Sequence, residues 1–291
     1  MNDAGEPGRP QLVMWGACLH RQDLLVRAEC LRPAGFDAMT AFVTDLAPLE
    51  RRLGSMAAVR RELAAREAPV NCVDVYLGWY PGHDPSAVAG AASELLRATE
   101  EEVLRYAAEV GATFVSIAAP FWGDRAPLEV VADALGGFTD RAAALGLRPH
   151  LEISNGSHVS TVAAAMELLT AVGRANLGLV LDTYNIIRAG GAPSDVDAVP
   201  QEAVFQIQLV DGAREPVLDR FHDSLHHRQL PGRGELPVAD FVRRMAAKGP
   251  LPPIGPEVFN DALVAMPAQL AASLCAEVTR EFLQVAGLER P

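Results

Sequence analysis

Eight short apolar runs, each followed by a longer stretch rich in Ala, Leu, Arg and Glu, constrain the fold of this chain more than any other feature. The runs are LVMWGAC from Leu12, FDAMTAF from Phe36, VNCVDVYL from Val70, TFVSIA from Thr113, RPHLEIS from Arg148, GLVLD from Gly178, VFQIQLV from Val204 and PPIGPEVF from Pro252. Their length and their β-branched and aromatic content predict strands, and the stretches between them predict helices. One such stretch, LLRATEEEVLRYAAEVG, ends in Gly111, the residue type expected just past a helix C-terminus; Gly35, Gly146 and Gly173 stand in similar places. Eight strand-then-helix units in 291 residues fit a (β/α)8 barrel better than an open doubly wound sheet. The latter needs a Gly-rich phosphate turn after its first strand, where this chain reads ACLHRQDLL. No break in composition divides the chain, so a single domain over residues 11–288 is expected. Residues 1–10, MNDAGEPGRP, read as a disordered tail without the apolar segment of a signal peptide.

Charge narrows the partners. With 25 Lys and Arg against 37 Asp and Glu, the net charge is −12, which disfavours a nucleic-acid groove or an anionic membrane surface. No run has the length of a membrane span. The partner expected is therefore a small molecule. The four cysteines, Cys18, Cys30, Cys72 and Cys275, are scattered without a CxxC pair, which points to reduced thiols in a cytoplasm and not to a zinc knuckle or a disulfide framework.

In an α/β barrel of the TIM type, chemistry gathers where the strands end. Alternation in RPHLEIS puts His150, Glu152 and Ser154 on the face opposite Leu151 and Ile153; Asp182 ends GLVLD opposite Leu181. In the seventh run Gln206 and Gln208 oppose Phe205, Ile207 and Leu209, and Glu257 lies in the eighth. The apolar faces are expected to meet helices, Phe205 among them, while Gln206 is expected to hydrogen-bond within the barrel floor. Carboxylates converging in a confined space repel one another and lose hydration unless a cation or strong donors compensate. Taken together the four inward strand ends point to a divalent ion; oxygen ligands suit Mg²⁺ or Mn²⁺, with Co²⁺ also compatible.

The residues HLEIS, LVLDTYN, IQLVD and GPEVFN, in this order on strands five to eight, resemble the ligand pattern of the sugar phosphate isomerase/epimerase superfamily, the xylose isomerase-like TIM barrels. The resemblance implies Glu152, Asp182, Gln208 and Glu257 as metal ligands. Most members carry His at the third position. Gln208 there resembles the bacterial 3-dehydroshikimate dehydratase branch, as do LDTYNIIRAGG, EVFND and the segment SLHHRQLPGRGELP, whose HHRxxPGxG element is the most specific of these. That element places His226, His227 and Arg228 on a loop after strand seven, above the expected metal. Arg228 suits a substrate carboxylate or phosphate. Departures are also present. Asn185 stands where the branch has His, EISNGSHV replaces its strand-five continuation, GFDAMTAF lacks the strand-two Glu, and YLGWYPGHD replaces the Arg-bearing exit of strand three.

Such a site implies proton abstraction next to a carbonyl, followed by epimerisation, isomerisation or loss of a β-hydroxyl. Glu152 and Glu257 would serve as ligand and acid/base together, with His158 and His227 as further acid/base candidates and His226 beside them; for each His a structural role is the alternative, and His20 and His222 are read as structural. Arg214 coincides with a substrate-contacting Arg of ketose 3-epimerase-like relatives, or is a solvated loop charge. Trp79 and Trp122, at strand exits, wall a pocket, pack under a loop, or meet a second subunit, since such barrels are often oligomeric. The best specific expectation is a dehydratase-like lyase. The alternatives are a ketose or keto-inositol epimerase or isomerase, and a barrel that binds a ligand without turnover. An endonuclease IV-like nuclease on the same barrel would need more strand-end His and a basic face.

Overall fold

A computed structural model describes residues 9–87, 94 and 96–288 of the chain. Eight parallel strands follow one another in sequence order in one sheet. They are β1 (Val13–Met14), β2 (Ala38–Phe42), β3 (Val70–Tyr76), β4 (Phe114–Ala118), β5 (Arg148–Glu152), β6 (Gly178–Asp182), β7 (Val204–Leu209) and β8 (Ile254–Pro256). Each falls inside one of the eight apolar runs. Leu12 bridges Ile254 in parallel, and the Ile254 amide donates to the Gln11 carbonyl at 2.9 Å, so the last strand returns to the first. Gly255 makes this junction feasible: a Cβ there would lie 1.7 Å from the Val13 carbonyl oxygen, inside the backbone of β1.

The helices are α1 (Leu24–Ala34), α2 (Val43–Leu53), α3 (Met56–Ala65), α4 (Glu100–Val110), α5 (Leu128–Ala144), α6 (Val162–Val172), α7 (Thr183–Arg188), α8 (Arg220–His226), α9 (Val238–Lys248), α10 (Asp261–Val264) and α11 (Ala268–Val285). Local signals set their ends. At α4 the Thr99 hydroxyl accepts from the Glu102 amide at 3.2 Å while Glu102 accepts from the Thr99 amide at 2.9 Å, a reciprocal cap that fixes the start. Gly111 closes the same helix, as Gly35 and Gly173 close α1 and α6, whereas Gly146 stands two residues beyond the end of α5, after Leu145. Outward strand residues such as Val73, Val115, Leu151, Leu181, Ile207 and Leu209 join the helices in one apolar core. Burying each stabilises the fold by roughly 1.5–3 kcal/mol.

One expected orientation fails. Phe205 does not face the helices: its ring lies 5.9 Å from Phe114, in a small cluster with Cys72 separate from the main core, and the Arg148 guanidinium sits 3.8 Å from its centroid. The pairing of β6 with β7 shifts between Leu179, opposite Val204, and Val180, opposite Gln206. The extra residue on β7 turns Phe205 into the barrel floor, where Gly178 leaves room for the ring. The resulting floor is aromatic: His150 stacks on Phe114 at 5.5 Å and touches the Cys72 sulfur at 3.5 Å. Burial, with the charge of Arg148, pushes the His150 imidazole down to about 3, so it stays neutral.

Residues 1–8 of the expected tail lie outside the described residues. Arg9, the next residue, donates to both carboxylate oxygens of Asp37 at 2.7 and 2.9 Å. Among the described residues no helix is long and apolar enough to cross a membrane.

Candidate metal centre

The strands carry Glu152, Asp182, Gln208 and Glu257 to the same end of the barrel. Glu152 and Asp182 are the last residues of β5 and β6, Gln208 is paired with Asp182 across β6 and β7, and Glu257 follows β8 directly. Carboxylate oxygens of Glu152, Asp182 and Glu257 lie within 4.8 Å of one another. Gln208 is fully buried, and neither its amide oxygen nor its nitrogen has a hydrogen-bond partner among the described residues. A buried amide left unpaired costs about 1–3 kcal/mol, so its oxygen is suited to a ligand that the protein itself does not supply.

Electrostatics point the same way. Burial, together with repulsion from Asp182 and Asp74, pushes the Glu152 carboxyl up to about 8, against the pull of Arg228. Burial first and Glu152 second push Glu257 well above the usual carboxylate range, again with Arg228 opposing. Raised to about 8, the Glu152 carboxyl holds its proton at neutral pH until positive charge is added. Three convergent carboxylates and one unpaired amide oxygen therefore fit a divalent cation with a preference for oxygen ligands.

Asn185, at the start of α7, organises the cluster. Its backbone amide donates to Asp182 Oδ1 at 2.9 Å, and its Nδ2 donates to Glu152 Oε1 at 2.8 Å and to Asp182 Oδ2 at 3.0 Å. An amide at this position aims the carboxylates but has no group that titrates in the physiological range.

Arg228 does not extend a free fork toward the mouth. Its Nη1 donates to Asp182 Oδ2 at 2.9 Å and to Glu257 Oε2 at 3.3 Å, while Nε and Nη2 hold the carbonyl and hydroxyl oxygens of Ser224 on α8. The side chain is buried, a place for a guanidinium that only the surrounding carboxylates make affordable. The PGxG part of the loop shapes this approach. Asp211 accepts from the amides of Gly232 and Leu236 at 3.0 Å each, and a Cβ on Gly234 would lie 2.3 Å from Asp211 Oδ1.

Other expected residues are placed elsewhere. Arg214 is 79% exposed and lies 4.0 Å from Glu235, the solvated loop charge of the two readings. The buried cation under that loop is Arg188, which donates to the carbonyls of Ala213 and Arg214 and to Asp223. Trp79 is buried, with its indole N–H on the Ala118 carbonyl at 2.9 Å, so it packs under the loops instead of walling a pocket. Trp122 donates to the Asp84 carbonyl and stacks on Phe121, itself 43% exposed. His158 sits 5.2 Å from the Tyr80 ring with Nε2 3.1 Å from the Trp122 carbonyl oxygen, and no hydrogen bond links it to the carboxylate cluster. His226 and His227 gather with His222 at the rim, and His226 Nδ1 lies 3.1 Å from Asp261. Gln206 has no hydrogen-bond partner in the floor.

Two inward groups escaped the sequence reading. Asp74, near the end of β3, is buried, and burial pushes its carboxyl up to about 6, with Ser116 and Arg228 pulling it down. It repels both Glu152 and Glu257. Its alternation with Cys72 in VNCVDVY was the available signal. Ser224 acts only through Arg228, a contact no spacing in sequence announces.

The family model described as Xylose isomerase-like TIM barrel matches residues 29–281. The chain is 32% identical over 276 residues to the 3-dehydroshikimate dehydratase of Pseudomonas aeruginosa, covering 89% of this chain and 40% of that protein. It is 27% identical over 125 residues to the inosose isomerase of Halalkalibacterium halodurans, 43% of each chain. It thus spans about two fifths of the length of either curated relative. Among solved structures, the IolI protein with a bound zinc atom superposes with a TM-score of 0.80 at 17% identity, covering 95% of this chain and 99% of that one, a likeness of fold. By its strand order, its carboxylate-ended strands and this match over most of its length, the chain belongs to the xylose isomerase-like TIM-barrel family.

Proposed function

We propose that the protein is a divalent-metal enzyme that removes a proton next to the carbonyl of a polyhydroxylated small molecule. The observation that carries this reading is the convergence of Glu152, Asp182 and Glu257 oxygens within 4.8 Å, beside a Gln208 amide without a partner. When bound, the ion polarises a carbonyl and stabilises the negative charge that develops as the proton leaves. Mn²⁺ or Mg²⁺ suits the donor set best, with Co²⁺ compatible.

The chain's own groups would do the rest. In the metal-free fold burial raises the proton affinity of Glu152 and Glu257; with an ion in place, one of these carboxylates beside the substrate would take up the proton and return it. Asn185 holds Glu152 and Asp182 in register, and Arg228 ties Asp182 to Glu257. The finer reading is β-elimination: the carbon-bound proton goes to a carboxylate, a C=C bond forms, and the neighbouring hydroxyl leaves with a proton as water. The identity to a 3-dehydroshikimate dehydratase supports it. Asn185 in the place of the branch's imidazole favours a second outcome, return of the proton to carbon, as in an epimerase or isomerase of a ketose or keto-inositol.

The test is to supply Mn²⁺ or Mg²⁺ and 3-dehydroshikimate and follow the absorbance of an aromatic catechol carboxylate, beside ketoses and inosose in D₂O followed for deuterium at the α-carbon. Catechol formation selects elimination; exchange without it selects epimerisation or isomerisation. A protein that binds no divalent ion refutes the metal-enzyme reading and leaves a ligand-binding barrel, whereas a Glu257→Gln variant with full activity refutes the proposed site.

A further inference from the structure

We propose that His222, His226 and His227 form a second, imidazole-based metal site at the rim of the barrel, selective for Zn²⁺-like ions and distinct from the oxygen-rich centre at the strand ends. His222 and His226 stand one turn apart on α8, and His227 follows the last residue of that helix. Their ring centroids are 4.5 Å (222 to 226), 5.1 Å (222 to 227) and 6.4 Å (226 to 227) apart. Three imidazoles on one tetrahedral zinc, with Zn–N of about 2.0–2.1 Å, have centroids about 5 Å from one another. The observed spacings bracket that value. Ring rotation is needed to bring one nitrogen of each imidazole onto a single ion, since only the strand-end carboxylates offer ligand atoms all within 4.8 Å of one another among the described residues.

Two further observations point to a ligand. The Nδ1 atom of His222 is buried without a hydrogen-bond partner among the described residues. Asp261, from α10, lies 3.1 Å from His226 Nδ1, which commits that nitrogen to the carboxylate and leaves Nε2 for an ion. The second oxygen of Asp261 pairs with Arg21 at 3.3 Å and is held in place by it. Nitrogen donors favour Zn²⁺ over Mg²⁺ or Mn²⁺, the reverse of the strand-end centre. The position also gives the ion something to do. Helix α8 carries Ser224, whose carbonyl and hydroxyl hold Arg228 against Asp182 and Glu257, so an ion joining His222 and His226 to His227 clamps the helix that positions this guanidinium.

The experiment is equilibrium dialysis of the full chain against Zn²⁺ in excess Mg²⁺, with metal content measured by mass spectrometry. The wild type is expected to hold a zinc equivalent that survives in Glu257→Gln and that Mg²⁺ does not displace. A His222→Ala/His226→Ala variant should bind that equivalent at least a hundredfold more weakly. Asp261→Asn should weaken it about 10–100-fold, as loss of a carboxylate behind a ligating His does. Co²⁺ at the same site should give a tetrahedral visible spectrum that follows the same variants. The proposal is overturned if the wild type binds only an equivalent that Glu257→Gln removes, or if the double variant keeps its rim zinc. Should the double variant fail to fold by circular dichroism, Asp261→Asn decides: unchanged zinc affinity there overturns the site. Failure of the strand-end centre reads differently, as a Glu257→Gln variant with unaltered metal content.

Discussion

Replacing Gln208 by Met is expected to make the metal-free protein more stable and the metal-loaded protein less able to gain from its ion. Gln208 is buried on β7 with both amide atoms unpaired, and its neighbours Asp182 and Gly255 are fixed by strand register. An amide buried without partners costs about 1–3 kcal/mol, and Met has a similar length and volume without that cost. In a chain of 291 residues, each kcal/mol moves the melting temperature by about 2 °C, so Gln208→Met should melt roughly 2–6 °C higher in EDTA. Ion binding narrows the difference. At a hundred times its dissociation constant an ion stabilises the wild type by about 2.7 kcal/mol, and a tenfold loss of affinity removes about 1.4 kcal/mol of this. The assay is calorimetric melting of both proteins in EDTA and across a Mn²⁺ series. A variant that melts lower in EDTA would refute the cost assigned to the unpaired amide, and one that gains as much from Mn²⁺ as the wild type would refute the ligand role of Gln208.

Three further outcomes are expected. The melting-temperature gain from Mn²⁺ should grow between pH 5.5 and 8.5: with Asp74 raised to about 6 and Glu152 to about 8, the metal-free fold binds protons that the unfolded chain has lost, so its stability falls across this window while ion binding, which needs ionised carboxylates, strengthens; a gain independent of pH contradicts it. Asn185→Ala takes a donor from Glu152 and from Asp182, and should weaken divalent-ion binding about 10–100-fold in a calorimetric titration, whereas wild-type affinity would show that Asn185 does not orient the ligands. Arg188→Met leaves the buried Asp223 without its cation and should cost about 3–5 kcal/mol in urea unfolding, while Arg214→Ala, at 79% exposure, should change stability by less than about 0.5 kcal/mol; equal effects would void the assignment of Arg188 as the buried anchor.

The strand-end polar residues were legible because each owes its direction to the two-residue period of a strand, a property any segment carries within itself. Glu152, Asp182 and Gln208 read inward from their own runs, and their strands needed only to be parallel for these side chains to meet at one end of the barrel. Phe205 obeyed the same period and was misread, since its direction depends on a register shift against β6 that no single strand encodes. Arg188 and Arg214 show the limit at a loop. Both are arginines near a strand exit, and only the folded loop decides which is buried against Asp223 and which is left in water.

By itself the sequence determined the barrel, the order of its strands, the carboxylates at their ends and the Asn that replaces an imidazole, because periodicity, caps and strand termini are local. The tertiary structure alone decided that Arg228 lies on Asp182 and Glu257, that Asp74 joins the acidic interior, and that Gln206 and Gln208 find no partners among the described residues. Each of these is a meeting of side chains from different strands and helices, and its energy depends on distance and burial, which exist only once the barrel has closed.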